Sequence, residues 1–163
     1  MDVSTSEQLY ILSRLVIAGG LGAFIGLERE VRGYPAGIRT IALVALGSAL
    51  FTDVSQHFGS GDQSRVAAQV VAGIGFLGAG LILRESGTIR GVTTAATVWS
   101  AAAIGMAVGL SLYWVAVPGA VFIVLLLEAR PGTRRIDNFL RGLAGELREP
   151  DGDAVEPPED DRK

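Results

Sequence analysis

The segment from Arg65 to Gly80, RVAAQVVAGIGFLGAG, is apolar, rich in small residues and carries a single amide, Gln69. In water a helix this rich in glycine is poor, because each glycine costs about 1 kcal/mol relative to alanine. In a bilayer the backbone must satisfy its own hydrogen bonds, so the helix is retained, and small residues let another helix approach closely. Read at helical spacing, one face carries only Ala68, Ala72, Gly75 and Ala79. The segment therefore predicts a transmembrane helix with a flat packing face.

Composition supports a membrane protein and argues against several kinds of site. Of the 163 residues, 49% are hydrophobic and only 19% are charged. The absence of cysteine excludes disulfides, thiolate metal sites and cysteine nucleophiles. His57 is the single histidine, which excludes multi-histidine metal sites and argues against a Ser-His-Asp triad. We therefore expect neither an enzyme nor a cofactor, and no nucleic-acid partner.

Five apolar segments follow one another along the chain. They run over Leu9–Leu27, Ile38–Val54, Val66–Leu83, Val92–Gly109 and Leu112–Leu127. Each is close to the roughly 20 residues that a spanning helix needs. The last two are separated by a very short turn, and a single span of their combined length would far exceed the bilayer. The sequence thus predicts an all-α integral membrane domain of five transmembrane helices over residues 1–129.

The distribution of arginine predicts the orientation of these helices. Basic residues follow the first, third and fifth segments, at Arg29, Arg32, Arg39, Arg84, Arg90, Arg130, Arg134 and Arg135. The other connections are nearly free of them. Because basic loops stay inside, the pattern places the N-terminus outside and the C-terminus inside. Arg14 and Arg65 lie near the predicted outer face, where we expect their side chains to snorkel to the interface.

The sequence changes character after the last apolar segment. Residues 130–149 carry apolar side chains at helical spacing, namely Ile136, Phe139, Leu140, Leu143 and Leu147. This predicts a short cytoplasmic amphipathic helix on the membrane surface or against a partner. Residues 150–163 are acidic and contain proline, so we expect a disordered tail.

Small residues also recur four apart in two other segments. Gly22 and Gly26 do so in the first segment, and Ala101 and Gly105 in the fourth. We interpret all three small-residue faces as helix-packing seams, within one subunit or across an oligomer. A phosphate cradle is the alternative for the glycine-rich run, but the run lacks the Lys-Ser/Thr ending of a P-loop.

Two carboxylates stand out at opposite helix ends. Asp53 could form an ion pair with Arg65 across the short loop, or it could be an outward-facing cation or proton site. It is the single candidate metal ligand, and one carboxylate does not make a cage. Glu28, at the other end, belongs either to a basic cluster with local ion pairs or to a polar vestibule where it faces Arg39 or Arg90.

Four further residues are candidates for contacts inside the membrane. Gln69 is predicted to bond a neighbouring helix rather than a ligand. Thr93 or Thr94 is expected to cap the fourth helix. Trp99 is too far inside the fourth segment to be an interface anchor, which favours packing or the lining of a pocket.

Four motifs together resemble the MgtC/SapB family of bacterial inner-membrane proteins. They are Gly26–Glu30 (GLERE), Ala36–Thr40 (AGIRT), Arg65–Gly80 and Gly87–Ala107 (GTIRGVTTAATVWSAAAIGMA). The resemblance covers residues 9–127 and implies a five-helix membrane domain in the bacterial inner membrane. The polar positions of its motifs fall on Glu28, Arg39, Asp53, Arg65, Gln69, Arg90, Thr93, Thr94 and Trp99.

The resemblance also implies a link to magnesium limitation. For some members it implies inhibitory contact with the F-type ATP synthase. Longer members carry a cytoplasmic ACT-like domain after the last helix, and we expect this chain to be a short member without it.

Two functions from different classes follow. The first is a membrane regulator of magnesium, cation or energy homeostasis, which contacts a membrane partner through its small-residue faces. The second is an oligomeric channel or transporter for magnesium or protons, with Asp53 and Arg65 at its outer mouth and Glu28, Arg39 and Arg90 at its inner mouth. Ion flux that depends on Asp53 would separate the two.

Overall fold

The computed structural model describes residues 4–57, 63–85 and 88–129. These residues form five helices and one short hairpin, and the helical bundle belongs to one compact unit, Met1–Glu128. The elements are α1 (Thr5–Val31), α2 (Ile38–Gln56), α3 (Gln63–Leu81), β1 (Leu83–Glu85), β2 (Thr88–Arg90), α4 (Val92–Gly109) and α5 (Tyr113–Glu128). The predicted amphipathic helix at 130–149 and the acidic tail at 150–163 lie outside the described residues.

The predicted all-helical membrane architecture is confirmed in its main features. Each of the five apolar segments corresponds to a helix, and α1 to α4 are long and apolar enough to cross a bilayer. The fifth, α5, has 16 residues, fewer than the roughly 20 of a full span. The fifth crossing and the outward N-terminus therefore stay predictions.

Side-chain caps fix the beginning of α1 and of α2. Ser4 and Glu7 form a capping box, in which the Ser4 hydroxyl accepts from the Glu7 amide at 3.3 Å and the Ser4 amide donates to the Glu7 carboxylate at 2.8 Å. At α2 the cap comes from the preceding helix, because the Ile38 amide donates to Glu30 Oε2 at 2.8 Å. A Cβ on Gly37 would lie 2.5 Å from that oxygen, so a side chain there would displace the cap.

The core is formed by α1, α2 and α4, which all pack against one another, and in places their backbones touch. A Cβ added at Gly22 would lie 2.7 Å from the carbonyl oxygen of Ile41 and 2.8 Å from the Cβ of Ala45. On the opposite side, a Cβ at Gly105 would overlap the carbonyl oxygen of Ala45. Gly26 meets Gly37 and Ile38 in the same way. The small residues of α1 and α4 thus allow both helices to approach the backbone of α2 closely.

The third helix is attached to this core along one edge only. Its buried residues, Ile74 and Gly78, face α4, and a Cβ on Gly78 would sit 3.6 Å from the Cβ of Ala95. The predicted seam of Ala68, Ala72, Gly75 and Ala79 is exposed. No atom lies within 4 Å of a Cβ built on Gly75. In the described part of the chain this face meets no other helix, so close contact there stays a prediction for a second molecule.

A β-hairpin separates α3 from α4, where the sequence predicts only a basic loop. Helix α3 ends at Leu81, and Leu83 pairs with Arg90 across the antiparallel hairpin. The predicted third helix, which extends to Leu83, is therefore two residues too long. Gly91 connects the hairpin to α4 with φ +88°, and a Cβ on it would collide with the Leu81 carbonyl group. That close approach requires glycine.

Candidate functional site: polar clusters at the two ends of the bundle

One polar cluster surrounds Asp53 in the last turn of α2. The Asp53 side chain is fully buried, and its Oδ1 accepts from Arg14 Nη1 on α1. Its second oxygen, Oδ2, is buried and has no hydrogen-bond partner among the described residues. We call Arg14, Asp53, Gln56 and His57 the Asp53 cluster.

The predicted ion pair between Asp53 and Arg65 is wrong. Arg65 is exposed at the start of α3, and the positive charge beside Asp53 belongs to Arg14. The reason is the packing of the helices. The close antiparallel contact of α1 with α2 brings Arg14 to the level of Asp53, whereas α3 meets α2 only loosely. Arg14 therefore points at the Asp53 carboxylate, and its position relative to the membrane interface stays a prediction.

Hydrogen bonds extend this cluster to the end of α4. The carbonyl oxygen of Gly109 accepts from Gln56 Nε2 at 3.0 Å and from Arg14 Nη1 at 3.5 Å. His57 Nδ1 lies 2.9 Å from the backbone oxygen of Asp53. A cleft of about 270 Å³ opens here, lined by Glu7, Tyr10, Ile11, Arg14, Gln56 and His57. The fully buried Asp53 carboxylate thus lies beside an arginine that borders this cleft.

A second polar cluster lies at the opposite end, around Glu28. Arg32 Nε is 2.9 Å from Glu28 Oε1, one helical turn earlier on α1. The same guanidinium pairs through Nη2 with Glu128 Oε2 at the end of α5. We call Glu28, Arg32 and Glu128 the Glu28 cluster. It joins the C-terminal ends of the first and last helices.

The hypothesis that Glu28 faces Arg39 or Arg90 is wrong. Both arginines are exposed, and Glu28 is paired with Arg32 instead. Helix α1 continues to Val31, beyond the predicted end at Leu27, and this extension places Glu28 and Arg32 on the same face.

Next to this cluster, Arg29 is a buried residue that the sequence reasoning did not single out. It is 1% exposed, its Nη2 donates to Thr94 Oγ1 at 2.6 Å, and its guanidinium carbon lies 4.1 Å from the centre of the Tyr34 ring. The sequence signal for this site is weak: Arg29 directly follows the apolar first segment, and an aromatic residue, Tyr34, comes five positions later.

The threonines of α4 do not cap their helix as predicted. The N-cap residue is Gly91, which has no side chain to offer, and α4 has no side-chain cap. Thr94 is buried and binds Arg29, whereas Thr93 is exposed. The tight turn after the hairpin needs a glycine at this position, which moves the threonines into the first turn of the helix.

Two candidate residues line grooves on the surface of the bundle. Gln69 is exposed and borders a groove of about 550 Å³ between α2 and α3, so its predicted bond to a neighbouring helix stays a prediction. The groove is otherwise apolar apart from Ser48. Trp99 is 52% exposed and borders a cleft of about 320 Å³ that also involves Val71 and Met106.

The two polar clusters lie at opposite ends of the buried apolar core. Arg14 of the first cluster and Glu28 of the second are about 21 Å apart along α1 at 1.5 Å per residue. Between them, Gly22 and Gly105 both lie against Ala45, so the backbones of α1, α2 and α4 are in close contact there. Within the described ranges, three or more His, Cys, Asp or Glu residues nowhere come together as a metal site.

Comparison with known proteins identifies the family to which this chain belongs. The sequence profile of the MgtC family matches residues 15–136, three quarters of the chain. The chain belongs to the MgtC family. Among individual MgtC relatives, the protein named MgtC of Salmonella typhimurium is 45% identical over 143 residues, which cover 85% of this chain and 60% of that protein.

Other relatives agree with this assignment. YhiD of Escherichia coli K12, whose description proposes a magnesium transporter, is 46% identical over 125 residues, or 71% of this chain and 58% of YhiD. A Haemophilus influenzae protein without a functional name is 39% identical over 140 residues, or 79% of this chain and 59% of its own length. This MgtC family member thus spans about three fifths of these curated relatives. No solved structure matches it. The family membership and the apolar helices together identify this chain as a membrane protein.

Proposed function

We propose that this MgtC family member is a protein of the bacterial inner membrane that regulates magnesium, and with it cation or energy homeostasis, by contacting a membrane partner through α3. The observation that carries the proposal is the exposed seam of Ala68, Ala72, Gly75 and Ala79, with open space around Gly75. The magnesium-related description of YhiD supports the physiological setting.

The physical reason lies in how helices associate in lipid. Lipid chains are as apolar as leucine, so burial from water does not drive association there, and close packing of small residues contributes instead. This chain already uses that device internally, where Gly105 meets the backbone of Ala45. The α3 seam has the same composition and lacks a neighbour in the described part of the chain. A second copy of this chain or another membrane protein would complete it.

A pair of glycine substitutions tests the proposal. Gly75→Leu blocks the seam, and Gly20→Leu adds the same side chain to an exposed site on α1; neither position has an atom within 4 Å of its Cβ. In a bacterium deleted for its own family member, we expect the wild type and Gly20→Leu to restore growth at limiting magnesium. Gly75→Leu should not, although it reaches the membrane at wild-type levels.

Failure of the wild type to restore growth would contradict the magnesium role, and full activity of Gly75→Leu would contradict the seam. Photo-crosslinking from an unnatural residue placed at position Ala72 would then identify the partner. An adduct of twice the chain mass would indicate a second copy, and a heavier one another membrane protein.

Transport of magnesium or protons is the second candidate function. It is favoured by the fully buried Asp53, whose Oδ2 has no hydrogen-bond partner among the described residues. Intramembrane carboxylates commonly mark ion or proton pathways. Because α1, α2 and α4 pack closely and a groove of about 550 Å³ lies between α2 and α3, such a pathway would run along this groove and require a second subunit to complete it.

Flux in liposomes that contain only this protein separates the two functions. Magnesium or proton flux that Asp53→Asn abolishes, with the variant shown to be folded, would support transport. Absence of flux for both ions from folded wild-type protein would leave the contact mechanism as the proposal.

A further inference from the structure

The groove between α2 and α3 is long, open and almost entirely apolar. It has a volume of about 550 Å³. Each wall carries residues one helical turn apart, namely Leu43, Gly47 and Phe51 on α2 and Gln69, Gly73 and Leu77 on α3. No atom lies within 4 Å of a Cβ built on Gly47 or on Gly73, so these two glycines leave the groove unfilled.

Arg39 lies at one end of this groove. It precedes Leu43 by one helical turn and therefore shares the face of α2 that lines the groove. Arg39 is exposed, and no carboxylate of the described ranges pairs with it. The positive-inside rule predicts that this end of α2 lies at the cytoplasmic surface. A cation thus stands where the apolar groove meets the predicted headgroup region.

The length of the groove matches one leaflet of a bilayer. Leu43 and Phe51 are about 12 Å apart along α2, and Arg39 is about 18 Å from Phe51. The hydrocarbon of one leaflet is about 15 Å deep, half of the thickness of the core. Near Arg39 the lining residues are apolar, whereas the amide of Gln69 lies towards the other end. An acyl chain that starts at Arg39 therefore meets apolar side chains first.

We propose that the groove binds one anionic phospholipid, with its phosphate on Arg39 and an acyl chain against Gly47 and Gly73. Arginine forms charge-assisted hydrogen bonds with phosphate oxygens. Basic residues at the cytoplasmic ends of transmembrane helices also attract anionic headgroups electrostatically. The groove supplies apolar contact for the chain, and Arg39 supplies the preference for a negatively charged lipid.

The site is separate from the proposed contact through α3. None of Ala68, Ala72, Gly75 and Ala79 lines the groove, so a lipid there leaves the seam open. A lipid chain in the groove would fill the space that an ion pathway along α2 and α3 would need.

Native mass spectrometry of the full chain tests the site, after the protein has been delipidated in detergent and titrated with phosphatidylglycerol. We expect one saturable phosphatidylglycerol per chain. Phosphatidylcholine with the same acyl chains should bind about fivefold more weakly, the effect of one basic residue on an anionic lipid. Arg39→Gln should weaken phosphatidylglycerol binding by the same factor. Arg65→Gln, at an exposed arginine beyond the other end of the groove, is its matched control and should bind like the wild type.

A second pair of variants tests the groove itself. Gly73→Leu fills it and should abolish the bound lipid, and Gly47→Leu should do the same from the α2 wall. Gly75→Leu adds the same side chain to the other exposed face of α3 and should keep the lipid, because Gly73 and Gly75 both have open space around a Cβ. Circular dichroism shows that each variant retains its helices.

Several outcomes would overturn the proposal. They are wild-type lipid binding by both folded groove-filling variants, unchanged binding by Arg39→Gln, an equal loss in Arg65→Gln, and equal binding of the two lipids by the wild type. Gly75→Leu separates this site from the proposed function, since it should block the seam and still bind lipid.

Discussion

At the scale of single residues, Asp53 carries a buried charge that Arg14 balances. Removing one member of a fully buried ion pair typically costs about 3–5 kcal/mol, and here the lower end of that range applies because the Arg14 side chain is 23% exposed, whereas apolar replacement of both is often neutral. We therefore expect Asp53→Ala to lower the free energy of unfolding by about that amount, measured by denaturation in detergent. Arg14→Met combined with Asp53→Leu should recover most of the loss. A double variant as unstable as Asp53→Ala would show that the pair is not the cause.

The same residues show how far a sequence can predict a site. The position of Asp53 at the end of an apolar segment is evident from the sequence, and so is its need for a positive partner. The sequence does not show whether Arg14 or Arg65 is that partner, because this depends on which helices pack closely and on how far they are shifted along their axes relative to one another. Glu28 is a similar case, since its pairing with Arg32 depends on where α1 ends.

At the scale of helices, the packing of α4 on α2 predicts a strong contrast between two glycines. A Cβ on Gly105 overlaps the Ala45 carbonyl oxygen, while Gly75 has open space. Gly105→Ala must separate the two helices, and overpacking of this kind typically costs about 1–3 kcal/mol or more.

Gly75→Ala should be neutral or slightly stabilising, because alanine favours a helix and nothing obstructs it. Thermal unfolding of both variants in the same detergent measures the difference. Equal melting temperatures for the two would refute the close contact of α2 with α4.

Helix periodicity and apolar length were sufficient to predict the five helices, but not the hairpin between α3 and α4. Its strands have three residues each, too few for an alternating pattern to be recognised. The small-residue faces were also evident from the sequence. The sequence did not show which of these faces pack within the chain. Gly22, Gly75 and Gly105 lie in similar local sequences and differ only in the residues that pack against them.

At the scale of the whole molecule, the orientation can be measured directly because the chain has no cysteine. A single cysteine at Ser6 or Ser111 should react with a membrane-impermeant maleimide in intact inner-membrane spheroplasts. One at Pro35 or Ala129 should react only after the membrane is opened, because the arginine-rich ends remain inside. Labelling of Ala129→Cys in intact spheroplasts would show that α5 does not cross. Labelling of Pro35→Cys would reverse the whole orientation.

The cap that Glu30 places on Ile38 has a consequence for how the protein is made. The acceptor for the first amide of α2 lies on α1, only eight residues earlier, and Gly22 and Gly26 contact α2 along the same side. Every partner of this contact has been synthesised once α2 is complete, before α3 and α4 follow. We therefore expect the α1–α2 pair to enter the membrane as a preassembled hairpin, onto which α4 later closes, while α3 leaves the translocon with one face still open to whatever it meets in the bilayer.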